Sequence, residues 1–139
     1  MAMRKVLFHS IIKWILLFTI AGCNGHSSAV PAPAGDKTVL EKLAASYQKL
    51  SEQLPSRPSS LTPAGKRKFV EQVFAEAGYD YTTTLLAMAD GGLDPANQLH
   101  RDLVELLFLP HAGMARENFS NIYSSSEIRA IERIQAAID

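Results

Sequence analysis

Cysteine is nearly missing from this chain: Cys23 is the single one among 139 residues. A disulfide within the chain is excluded, and so is a zinc site built on paired thiolates. Charge is scarce as well, with 20% Asp, Glu, Lys and Arg and a formal net charge of zero. That balance argues against a basic nucleic-acid binder. The 47% of apolar residues excludes a wholly disordered chain. No apolar run reaches the roughly 20 residues of a spanning helix. The best stretch, Val6 to Ile20, is interrupted by His9 and Lys13. The length leaves room for one compact domain and not for two of ordinary size.

What charge there is lies unevenly. Residues 1–22 hold Arg4, Lys5 and Lys13 and no anion, so the rest of the chain carries a net charge of −3. A basic start, the apolar run Trp14 to Ile20 and the small pair Ala21-Gly22 have the order of a signal peptide. Ile20-Ala21-Gly22-Cys23 resembles the lipobox of bacterial lipoproteins. The resemblance implies cleavage between Gly22 and Cys23, with lipid attachment at Cys23. Several acyl chains anchor a protein stably where one is marginal. Asn24 after the cysteine implies the periplasmic face of the outer membrane over the inner membrane, within a bacterial envelope.

Residues 23–37 contain Gly, Ser, Ala and Pro without apolar periodicity and are read as a lipidated flexible tether, on the order of 20 Å in span. Residues 38–139 are read as a helical domain. Thr38 and Glu41 have capping-box spacing ahead of Leu40, Leu43, Tyr47, Leu50 and Leu54, which recur at three and four. Thr62-Pro63 opens a second helix with the stripe Phe69, Val70, Val73, Phe74 and Ala77, closed by Gly78. Asp80 caps a third helix that Gly91-Gly92 stops. Asp94-Pro95 opens a fourth carrying Leu99, Leu103, Leu106 and Leu107, closed by Pro110. A segment near Ala115 to Tyr123 follows, and Ser124 with Glu127 offers a capping box for a last helix, with Ile128, Ile131, Ile134 and Ile138 as its stripe. No segment alternates with period two. The expectation is an all-α, single-domain bundle of five or six short helices.

Motifs that carry chemistry are sparse. His26, His100 and His111 are not spaced as metal ligands, so no metal and no cofactor is expected. His100 and Asp102 stand on diverging directions of one helix, which argues against an acid/base pair. No phosphate loop or nucleophile elbow is present, and no catalytic residue is assigned. Lys66-Arg67-Lys68 sets three cations where the helix dipole is positive, which suits contact with an anionic surface. A solvated helix end is the alternative. Leu107, Phe108 and Met114, around the turn that follows the fourth helix, suggest an apolar lip that binds a partner helix. The alternative there is a helix end tucked into the core.

A small, cysteine-poor helical domain on a lipidated tether resembles the helical pilotins of bacterial secretion systems. The run Gln98-Leu99, Asp102-Leu103-Val104, Leu106-Leu107, Pro110, Gly113, Phe119 and Ile122-Tyr123 is similar to the C-terminal helix–turn–helix of type III secretion pilotins. The resemblance implies a non-catalytic assembly factor that binds a secretin-type subunit and targets it to the outer membrane. An immunity or entry-exclusion lipoprotein that neutralises an incoming toxin or conjugation protein has the same attributes. So does an accessory subunit of an envelope enzyme.

Overall fold

The computed structural model describes residues 30–139. The segment read as a signal peptide, the expected Gly22–Cys23 cleavage and lipidation point, and His26 lie outside them. The described chain is an all-α bundle: α1 (Lys37–Glu52), α2 (Pro63–Glu76), α3 (Tyr81–Ala87), α4 (Gln98–Leu107) and α5 (Ser125–Ile138). Tight 3-10 turns occupy Pro58–Ser60, Leu109–His111 and Arg116–Asn121, and a π-helical turn spans Met88–Gly92. No strand occurs among the described residues, and no helix there is long and apolar enough to cross a membrane.

Local chemistry sets most helix ends. Thr62 Oγ1 accepts from the Gly65 N–H and Pro63 takes the first helical position of α2. That helix ends where Gly78 takes φ +93° and the Tyr79 N–H reaches back to the Phe74 carbonyl at 2.8 Å. Asp80 Oδ2 accepts from the Thr83 N–H at 2.8 Å to start α3. Ser124 and Glu127 exchange both capping-box bonds at the start of α5. After α3 the chain unwinds at Gly91, φ +105°, and a Cβ on Gly92 would sit 2.9 Å from the Ala87 carbonyl oxygen.

Two starts differ from the sequence expectation. The first helix is capped by Asp36, whose Oδ1 accepts from the Thr38 N–H at 2.9 Å, and not by Thr38. A carboxylate at that place meets the positive helix end as well as the amide. The fourth helix starts at Gln98 with Asn97 as cap, because Asp94 is engaged in a turn of its own with the Ala96 and Asn97 amides.

The packed chain also begins earlier than Thr38. Ala32 is buried, and its N–H donates to Thr84 Oγ1 at 2.9 Å. The Val30 carbonyl accepts from the Asp80 N–H at 2.8 Å. The segment read as the end of a free tether is therefore docked across the start of α3, where buried backbone amides find partners.

Helix α2 is central. Val70, Val73 and Phe74 are fully buried, and α1, α3 and the turn Leu109–His111 pack around it. Leu43, Leu85, Leu103, Leu107 and Ile134 close the core from the other helices. Helix α5 lies against α3 and the π-helical turn.

Candidate functional site

The most densely bonded polar group begins on the buried stripe of α2. Arg67 stands three and seven residues before Val70 and Phe74, so it points where they point. Its neighbours Lys66 and Lys68 diverge from it: Lys66 is half-buried, Lys68 exposed, and neither has an ion pair among the described residues. The three cations do not form one face.

Arg67 meets Glu127 of α5, a residue 4% exposed, through two parallel N–H···O bonds of 2.7 Å. The same guanidinium donates to the Ile122 carbonyl at 2.7 Å and to Glu71 at 2.8 Å. Thr82 Oγ1 donates to Glu127 Oε2 at 2.8 Å, and the Ser124 N–H donates to Oε1 at 2.8 Å. Burial works against the charge on Glu127, but the bonds from Arg67, Ser124 and Thr82 outweigh it and hold the carboxyl at about 2. Burial likewise opposes the charge of Arg67, and its bonds to Glu127 and Glu71 overcome this and raise its pKa.

Next to this pair lies an aromatic layer. The guanidinium carbon sits 5.4 Å from the Tyr81 ring centre and 5.3 Å from that of Tyr123. The Tyr81 hydroxyl donates to the carbonyl of Leu107, the last residue of α4. Tyr123 OH lies 2.9 Å from His111 Nδ1. His111 is packed by Phe108 and Phe119, each with ring centres 4.7 Å away. Burial lowers its pKa to about 4, so at neutral pH it is uncharged, and Nδ1 shares a hydrogen bond with the Tyr123 hydroxyl. Burial also pushes Tyr81 upward and takes Tyr123 to about 12, keeping both phenols protonated. Chemically the cluster is a clamp, with each proton held in a bond that ties the turn after α4 to α2, α3 and α5.

The residues singled out in the sequence are distributed around this clamp. Leu107 is fully buried and belongs to the core, so it offers no surface to a partner. A leucine that completes the α4 stripe and whose carbonyl takes the Tyr81 bond has both its side chain and its backbone turned inward. Phe108 and Met114 are half-buried, packed on the core with part of each side chain accessible, together with Leu106 and Leu109. Arg67 is turned inward by Glu127 and is not available to an anionic surface. His100 Nδ1 accepts from the Asp94 N–H at 2.9 Å while Asp102 accepts from Gln98, so these two are not brought together. No group of three His, Cys, Asp or Glu is placed to hold a metal ion among the described residues.

Sequence reasoning missed the clamp. Glu127 was legible as a cap, and its second partner was not. Arg67 carried the one usable signal, a cation in register with an apolar stripe. In comparisons with family models, curated proteins and solved structures, nothing matches this chain.

Proposed function

We propose that this chain is a lipid-anchored, non-catalytic assembly factor of the bacterial envelope, similar in role to a pilotin. The occupant it would take is the amphipathic C-terminal helix of a secretin-type subunit. The observation that carries the reading is the half-buried rim set of Leu106 at the end of α4 and Phe108, Leu109 and Met114 in the turn after it, which Tyr81 and His111 fix. Apolar side chains held rigidly lose little entropy on binding, which favours affinity. The lipobox-like run Ile20-Ala21-Gly22-Cys23, which implies acylation of Cys23, supports the same reading. Only residues 24–29 separate it from docked Val30, a reach of roughly 25 Å at full extension. Confinement so near the lipid raises the effective concentration toward membrane partners.

The test is capture from membranes by the tagged, lipidated protein, with Phe108→Ala and Met114→Ala alongside. Each variant is expected to weaken capture of the secretin-type subunit by roughly thirtyfold, about 2 kcal/mol, with a cooperative helical melt retained. Recovery of a toxin or conjugation protein instead selects the immunity reading. Variants that unfold mark the rim as core.

A further inference from the structure

Away from the clamp and the rim, α5 presents another stripe. Ser126, Arg129, Ala130 and Arg133 recur at spacings of three and four, and they face Leu86 and Ala89 across a half-open cavity of about 180 Å³. The floor dips because alanines stand at 89 and 130, where larger side chains would fill the space. The rim is unevenly charged. Arg133 lies 3.4 Å from Asp90, with side chains 68% and 74% exposed, so that pair is weak. Arg129 is exposed and has neither an ion pair nor a hydrogen bond among the described residues. The rim thus carries two guanidiniums and one carboxylate, and only Arg133 meets that carboxylate, in a chain whose residues after 22 carry a net charge of −3.

We infer that this groove between α3 and α5 is a second binding site, for a partner segment that sets an Asp or Glu carboxylate beside apolar side chains. Charge complementarity and the apolar floor together select that occupant. A carboxylate takes two parallel N–H bonds from a guanidinium, and Arg129 has its donors free of protein partners. Leu86, Ala89 and Ala130 give a neighbouring apolar side chain a surface to cover. The Ser126 hydroxyl adds a donor for a peptide C=O group. A lipid phosphate matches this groove less well, since it sets no apolar side chain beside the anion to cover Leu86, Ala89 and Ala130. The site uses none of the residues around Phe108, so it stands or falls apart from the proposed role of that rim.

The test titrates detergent-solubilised full-length protein into a fluorescein-labelled helical peptide of Leu and Glu at three-and-four spacing. A counterpart with Gln for Glu and vesicles of phosphatidylglycerol are run beside it. Saturable binding of the Glu peptide is expected, with the Gln peptide weaker by about tenfold or more. Arg129→Glu is expected to reduce affinity by at least about tenfold at an unchanged melt, since that side chain is exposed. Filling of the cavity is tested with Ala89→Phe, which is expected to abolish binding. Failure of the Glu peptide to bind, equal binding of both peptides, or indifference to Arg129→Glu overturns the inference. Vesicle binding that depends on Arg129, without peptide binding, overturns it in favour of a lipid surface.

Discussion

Arginine meets carboxylate at two contrasting places in this fold. Arg67 and Glu127 are joined by paired 2.7 Å bonds, with the carboxylate 5% exposed at its side chain. Arg133 and Asp90 touch once, at 3.4 Å, in solvent. The first pair links residues 60 apart in sequence and aligns α2, α5 and the strap between Ile122 and Ser124. The second links the π-helical turn to α5 and constrains almost nothing. Burial makes the difference: it raises the cost of an unmet charge, so the inner pair specifies an arrangement while the outer one leaves its groups free to exchange partners.

Removing the inner carboxylate is the sharpest way to break this contrast. Glu127→Gln keeps the shape but leaves the Arg67 charge with Glu71 alone, and it weakens the cap of α5. Breaking one side of a buried pair costs about 3–5 kcal/mol. The surviving Glu71 bond places the expected loss near 3 kcal/mol, a fall in melting temperature of about 15 °C for a domain of this size. A melt within a few degrees of wild type would mean that Arg67 reaches water readily and the clamp is incidental.

Acid separates the two regions more gradually. The folded pKa of Glu127 is depressed, to about 2 from 4.5, so its contribution is complete above 4.5 and is lost as pH falls toward 2. His111 is also depressed, to about 4 from 6.5. Between those values the unfolded chain binds the extra proton, so stability again declines as pH falls, here from 6.5 to 4. Each window is worth on the order of 2 kcal/mol once partial solvent access is allowed for. Chemical denaturation across pH is expected to show a decline that starts near 6.5 and continues below 4.5. Flat stability between 6.5 and 4.5 would place His111 in open solvent.

The same contrast explains what could be read in the sequence. Caps and stripes are local, and Thr62-Pro63, Gly78, Asp80 and the Ser124–Glu127 box act where their spacing put them. Asp94-Pro95 misled because a turn and a helix start share the same chemistry, and only the Asn97 cap decides between them. The clamp was hidden because most of its bonds join residues from 12 to 60 positions apart, whose pairing depends on how whole helices pack. Beside Lys66 and Lys68, Arg67 has the look of a charge run, while its register with Val70 and Phe74 marks it as inward. For Leu107 the sequence leaves both an apolar lip and a helix end tucked into the core open, and its full burial decides for the core.

The smallest expected change comes from the outer pair. An exposed ion pair contributes about 0–1 kcal/mol, and a single 3.4 Å contact between two mobile side chains belongs at the bottom of that range. Asp90→Asn is therefore expected to move stability by less than about 0.5 kcal/mol. Its effect on the groove has the opposite sign. With the carboxylate gone, Arg133 joins Arg129 as a second unmet cation on the rim, and an acidic peptide no longer meets a like charge there. The Glu peptide should then bind several-fold more tightly to Asp90→Asn than to wild type, with a steeper dependence on salt. A variant that is equally stable yet binds more weakly would show that Asp90 holds the peptide backbone instead of competing with its carboxylate.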